Sequence, residues 1–264
     1  MNIESNILIV LGDFVVFVVL AGIVWRFRRT RSSLWWRIVL GAMFIVVIAA
    51  SASLSFIYWS RPSEAMPLDK AALMRRYAEA TNGNPVLFDT LKAQDKNDWD
   101  TGTWHHGDSC SFHDGAYHIK SVEQEYYSWC IAEIPVFRDF AYQVQMKIME
   151  GDGGGLVFRS EGKVGNYYYF HVGQDGSYGL SIFVAKGQPI DVVKGTSTSI
   201  KTGLGQANML CVVVRGSDIA MYVNRQAVAE VIDTVYSSGQ IGVVADEDSK
   251  TTDVAYTNAQ VWAL

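Results

Sequence analysis

Apolar and polar residues alternate with period two through residues 153–184, GGGLVFRSEGKVGNYYYFHVGQDGSYGLSIFV. Leu156 and Phe158 interleave with Val157 and Arg159, and Tyr168, Phe170 and Val172 interleave with Tyr167, Tyr169 and His171. After the turn residues 174–177 (QDGS) the pattern resumes with Tyr178, Leu180 and Ile182. Successive side chains of a strand point to opposite faces, so this pattern predicts three antiparallel strands with tight turns. A helix would scatter the same residues around its axis. Phe140, Tyr142, Val144, Met146 and Ile148 alternate in the same way with Ala141, Gln143, Gln145 and Lys147, apolar inward and polar outward. Residues 209–214 are continuously apolar and read as a central strand. From residue 86 onward the chain reads as about a dozen short strands, with turn signals at the spacing expected of a sandwich or barrel. No helical period long enough for a parallel α/β sheet appears there.

The first sixty residues follow a different rule. Residues 7–25 and 38–59 are apolar runs, each close to the roughly 20 residues a helix needs to cross a hydrocarbon core. Between them lies WRFRRTRSSLWWR, with Arg26, Arg28, Arg29, Arg31 and Arg37 and no acid. Short Arg-rich loops stay in the cytoplasm, and Trp25, Trp35, Trp36, Tyr58 and Trp59 stand where aromatic belts form. The expectation is a transmembrane helical hairpin over residues 1–60, in contact with membrane lipid. Both its termini, and everything C-terminal, would then lie outside the cytoplasm. A cleaved signal peptide fits poorly, because no Lys or Arg precedes Ile7 and no small-residue cleavage site closes the first run.

Residues 61–85 link the two parts. Asp69 is a suitable N-cap for a short helix carrying Ala71, Leu73, Met74 and Ala78, and Gly83 and Pro85 end it. The segment reads as a juxtamembrane spacer; an amphipathic stalk with Arg75 and Arg76 toward lipid is the alternative. Residues 86–264 then form the extracytoplasmic domain, and about 180 residues suffice for a single core. The formal net charge of −5 gives no basis for nucleic-acid binding.

The runs DSCSFHDGAYHIK, DFAYQVQMKIMEGDGGGLVFRS, YYYFHVGQDGSYGLSIF, MYVNRQAV and YSSGQIGVVA, in this order, resemble extracytoplasmic jelly rolls of the concanavalin A-like lectin/glucanase superfamily. The group they look most like is described as family-16-glycoside-hydrolase-like, or 3-keto-disaccharide hydrolase-like. The resemblance covers residues 86–264 and implies an all-β antiparallel jelly-roll sandwich, often carried outside a membrane anchor. It also implies that one sheet face binds sugar.

Family-16-type glucanases carry a Glu-x-Asp-x-Glu strand, which sets an acid and a nucleophile about 5 Å apart on one face. This chain has no such triplet. Glu150 and Asp152 belong to a turn sequence, and the consecutive Asp246, Glu247 and Asp248 read as a solvated loop. No catalytic residue is therefore assigned. No CxxC or HxxxH spacing supports a metal site. No cofactor is expected; related jelly rolls hold calcium, for which Asp89 and Asp253 occupy suitable places without a carbonyl-rich loop.

Tyr167, Tyr169 and His171 share the polar face of one strand, and alignment of the neighbouring strand would add Arg159. Aromatic faces stack on pyranose rings, and Arg and His supply directional hydrogen bonds, so these four are the ligand-binding candidates. Tyr126, Tyr127 and Trp129 form a second aromatic cluster, as ligand platform or as core. His105 and His106 lie in a polar loop, while His113 and His118 flank a turn and read as surface residues. Of the three cysteines, Cys110 and Cys130 flank the first hairpin and either form a disulfide, permitted outside the cell, or stay as two buried thiols. Cys211 reads as a buried free thiol. The functional expectation is a surface module that binds carbohydrate or cell-wall glycan without catalysis. The alternatives are a hydrolase acting on glycosides or keto-sugars, and a structural or sensory ectodomain partnering another membrane protein.

Overall fold

Alternation sorts the side chains of each strand into two sets, and two sheets close over one of them. The structure is a computed structural model, and it describes residues 69–104, 107–122, 126–133, 136–162, 165–184, 189–247 and 251–264. The two apolar runs, the arginine-rich loop, His105, His106 and Asp248 lie outside these residues. Among the described residues no helix is long and apolar enough to cross a membrane.

The chain runs through helix α1 (Lys70–Ala80) and then β1 (Leu87–Asp89), β2 (Gly102–Trp104), β3 (Asp108–His113), β4 (Ala116–Ser121) and β5 (Tyr126–Ile131). There follow β6 (Phe140–Glu150), β7 (Gly153–Ser160), β8 (Tyr167–Gly173), β9 (Ser177–Phe183) and β10 (Ile190–Thr196). The last five are β11 (Ala207–Arg215), β12 (Asp218–Val223), β13 (Gln226–Ile232), β14 (Gln240–Glu247) and β15 (Thr252–Ala263). One sheet has the order β13–β12–β11–β6–β15–β4–β3–β2, with β1 also paired to β15; the other has the order β10–β9–β8–β7–β14–β5. Every pairing is antiparallel. The described part is an all-β jelly-roll sandwich with one short helix.

The predicted inward positions fill the space between the sheets. Tyr142, Val144, Met146, Leu210, Val212, Val254 and Tyr256 of the larger sheet meet Leu156, Phe158, Phe170, Val172, Leu180 and Val243 of the smaller. Burying a large apolar side chain contributes about 1.5–3 kcal/mol, so this layer dominates stability. Two buried tyrosines also tie the sheets together. Tyr256 Oη accepts from Gly155 N (2.9 Å) and donates to the Val244 carbonyl (2.6 Å), and Tyr142 Oη donates to the Gly242 carbonyl (3.1 Å). Cys110 on β3 and Cys130 on β5 form a disulfide that crosses between the sheets. Cys211 is a buried free thiol, and burial pushes its ionisation up.

Helix α1, in the segment read as a spacer, is docked on the sandwich. Asp69 caps it, accepting from Ala72 N at 3.0 Å. Leu73, Tyr77 and Ala80 pack on the outer face of the larger sheet, against Ala141, Cys211, Val213, Ala220, Tyr222, Ala227 and Trp262. Tyr77 Oη donates to Gln143, Tyr222 Oη to the Leu73 carbonyl, and Trp262 Nε1 to the Gly83 carbonyl. Arg76 pairs with Glu230 at 2.6 Å, so this guanidinium is engaged by the sandwich. The docking also explains the unbroken apolar run at 209–214. Leu210, Val212 and Val214 face the main core, while Met209, Cys211 and Val213 lie under the helix.

Candidate functional site

The two outer faces of the sandwich differ. The helix covers part of one. The other, on the six-stranded sheet, carries the residues expected to bind ligand, and the structure divides them three ways.

Arg159 leaves that face altogether. β7 carries one residue more than β14 there, since Ser160 pairs with Gln240 but Val157 with Gly242. This bulge puts Arg159 at φ +50°, outside the ordinary strand region, and turns its side chain inward. The guanidinium is 1% exposed and donates to the carbonyls of Tyr236 (2.9 Å), Arg138 (2.9 Å) and Gly216 (2.7 Å). Asp139, 3.9 Å away, accepts from Gly216 N. Burial lowers the Arg159 pKa from its ordinary value, with Tyr168 and Asp139 acting the other way. The predicted ligand contact is instead a clasp tying three loops at one end of the sandwich. Beside it Tyr168 donates to Asp233 and accepts from Tyr236 N.

Tyr167 and Tyr169 stay on the predicted face but are 0% and 1% exposed. With Ile131, Val157, Val244, Trp129 and Phe183 they form a small second core. Tyr167 stacks on Phe183 with ring centres 4.7 Å apart and meets Trp129 at 5.4 Å. Tyr169 Oη donates to Asp246 at 3.0 Å. Asp246, expected in a solvated loop, belongs to β14 and faces the same side. These buried rings offer no stacking platform.

His171 alone of the four remains at the surface of the face. Its neighbours in register are both glycines, Gly155 on β7 and Gly179 on β9. A β-carbon at Gly179 would run into His171 Nε2, so the imidazole occupies the space above that glycine. The ring packs beside Tyr169, with centres 5.3 Å apart. Burial, with help from Lys194, pushes its pKa down to about 4, so the ring is neutral at ordinary pH, with one N–H donor and one acceptor nitrogen. Among the described residues neither ring nitrogen has a hydrogen-bond partner.

The edge strand β10 contributes residues that the period-two reading passed over. Asp191 accepts from Ser181 Oγ at 2.9 Å and pairs with Lys194 at 2.8 Å. Asp175, in the turn after β8, accepts from Ser177 N at 2.9 Å. Hydrogen bonds from Ser177 hold its carboxyl below the usual range.

Elsewhere, His118 is not a surface residue. It is 6% exposed, with Nδ1 2.9 Å from Asp253, and stacks on His113 at 3.7 Å between ring centres. Asp89 is buried, accepting from Leu91 N, Asn97 and Trp99. Asp89 and Asp253, weighed as a calcium pair, thus belong to separate networks. Among the described residues no cluster of three or more His, Cys, Asp or Glu side chains has the arrangement of a metal site.

A family model described as the 3-keto-alpha-glucoside-1,2-lyase-like domain matches residues 84–261. The chain belongs to that family. The match begins just after α1, so the helix lies outside the matched residues. No curated protein matches the sequence. Among solved structures, the carbohydrate-binding module CBM66 from Bacillus subtilis is similar at 18% identity and a TM-score of 0.53, over 62% of this chain and 95% of that one. A Bacillus subtilis protein of unknown function with a galectin-like fold is similar at 13% identity and a TM-score of 0.51, over 68% and 96%. A GH16 protein from the Bacteroides ovatus mixed-linkage glucan locus is similar at 7% identity and a TM-score of 0.50, over 67% and 99%. At these identities the likenesses establish the fold: binding modules and glycoside-hydrolase-like proteins share it with the lyase-like domain.

Proposed function

We propose that this lyase-like domain is a glycan-binding module, presented on the outer side of a membrane by the apolar runs 7–25 and 38–59. One observation carries the binding reading. His171 lies half-buried between two glycines on the outer sheet face, neutral and, among the described residues, without a hydrogen-bond partner for its ring nitrogens. A half-buried polar group left unpaired costs free energy unless a ligand or water completes it, and sugar hydroxyls both donate and accept. The sheet-face neighbours and the family support a carbohydrate ligand, and the arginine loop supports the orientation. The test is a glycan array probed with the full chain and with His171→Ala. Binding that the variant abolishes supports the reading, and wild-type protein that binds no glycan refutes it. Protease treatment of intact cells tests the orientation: a domain cleaved only after lysis would place it inside.

The family's description favours a second reading, an enzyme acting on keto-sugars. A neutral imidazole is in the form that accepts a proton, and a C–H beside a ketone is acidic enough to lose one. Under this reading His171 is the base, and the Tyr169–Asp246 pair holds the neighbouring surface. Turnover of a 3-keto-α-glucoside by wild type but not by His171→Gln supports it; no turnover excludes it.

A further inference from the structure

On a regular strand residues three apart point to opposite faces, yet Asp191 and Lys194 share one. The cause is a bulge in β10: Asp191 pairs with Ser181 and Val193 with Leu180, leaving Val192 as an extra residue. The bulge brings Lys194 into register with Gly179, the tile on which the His171 ring lies. Four polar groups therefore line the open edge of the sheet across β8, β9 and β10: the His171 nitrogens, Ser181 Oγ, the Asp191 carboxylate and the Lys194 ammonium. Asp191 and Lys194 are both exposed, and their 2.8 Å pairing cancels their charges. Asp175 lies within electrostatic reach of His171, and Asp246 bounds the same face through Tyr169.

From this geometry we infer that Asp191 and Lys194 form a subsite selecting neutral sugars, reading two adjacent hydroxyls of a residue seated against the His171 ring and rejecting uronic acids. The inference rests on the glycan-binding reading of the His171 face. A carboxylate accepts from hydroxyls and an ammonium donates to them, so a paired Asp and Lys match a vicinal diol with no net charge. A sugar carboxylate entering the same place meets one cation already neutralised by Asp191, and a further carboxylate, Asp175, lies within electrostatic reach of His171. Bulges recur beside binding sites because they re-aim side chains, and here the bulge is what puts the pair on the binding face.

The experiment is calorimetric titration of the purified full chain with matched tetrasaccharides: mannotetraose against tetramannuronate, galactotetraose against tetragalacturonate, and cellotetraose against tetraglucuronate. In any pair that binds, the neutral member is expected to bind at least about tenfold tighter. Lys194→Gln and Asp191→Asn should each weaken neutral binding about tenfold, the loss expected for a charged hydrogen-bond partner. Asp191→Asn should also narrow the neutral-to-uronate ratio, because Lys194 then stands as an unpaired cation. A merely structural role would lower both affinities together, and thermal unfolding of each variant registers any such loss. Uronates that bind as tightly as neutral sugars, or variants that bind like wild type, overturn the subsite while leaving glycan binding in place. A wild-type chain that binds none of the tetrasaccharides overturns both.

Discussion

The two outer faces of the sandwich use the same materials to opposite ends. On the larger sheet, Ala141, Cys211, Val213, Ala220 and Tyr222 are covered by α1, and the tyrosines there spend their hydroxyls on Gln143 and the Leu73 carbonyl. On the smaller sheet, Tyr167, Tyr169, Trp129 and Phe183 pack together, and beyond them lie His171 and the Asp191–Lys194 pair. Both faces are rich in aromatic residues. What separates a structural face from a candidate binding face is whether the polar atoms find partners within the protein. Every named polar contact beneath α1 is intramolecular, whereas the His171 ring has none among the described residues.

Arg159 stands on neither face. Arg159→Ala should destabilise the domain by about 3–5 kcal/mol, since it removes a buried guanidinium and leaves the carbonyls of Tyr236, Arg138 and Gly216 unsatisfied. Urea unfolding measures this; a loss under about 1 kcal/mol would show that the clasp is dispensable. Next in size is the helix-covered face. Leu73→Ala should cost about 2–4 kcal/mol, as for other buried leucines, with glycan affinity unchanged. If the variant unfolds like wild type, α1 is only loosely attached.

The open face is sharpened by pH. His171 is held at about 4 in the folded chain, against 6.5 for an unperturbed histidine. Between those values the unfolded chain takes up a proton that the folded chain refuses, so stability should decline as pH falls from 6.5 and level off below about 4. At about 1.4 kcal/mol per unit, reduced for the ring's residual contact with solvent, the decline is about 2 kcal/mol. It should vanish in His171→Gln; an unchanged slope in that variant assigns it to another group. The smallest effect expected is at Gly179. Gly179→Ala pushes the imidazole off its tile, and glycan affinity should fall about tenfold (~1.4 kcal/mol) with little change in the unfolding midpoint.

How far the sequence could be read is seen where alternation holds and where it stops. Strands 140–148 and 167–173 place every inward residue as alternation predicts, because neither strand itself carries an extra residue over that stretch. Arg159 and Lys194 escape the rule for one reason, an extra residue in each strand. The register of a bulge is set by the partner strand, and no local pattern announces it. His118 departs from the expected surface position for a related reason: it sits by a turn, where polarity implies exposure, yet β15 supplies Asp253 from more than a hundred residues away.

The amino-acid pattern by itself determined most of the strands, the apolar interior of a sandwich or barrel, and the capped helix. These depend on periodicity and on neighbours along the chain. The tertiary structure alone decided that α1 lies on the sandwich, that two tyrosines close into a second core, and that two bulges remove Arg159 from the ligand face and bring Lys194 onto it. Those outcomes depend on which strand comes to lie beside which, a relation between distant segments that backbone pairing settles.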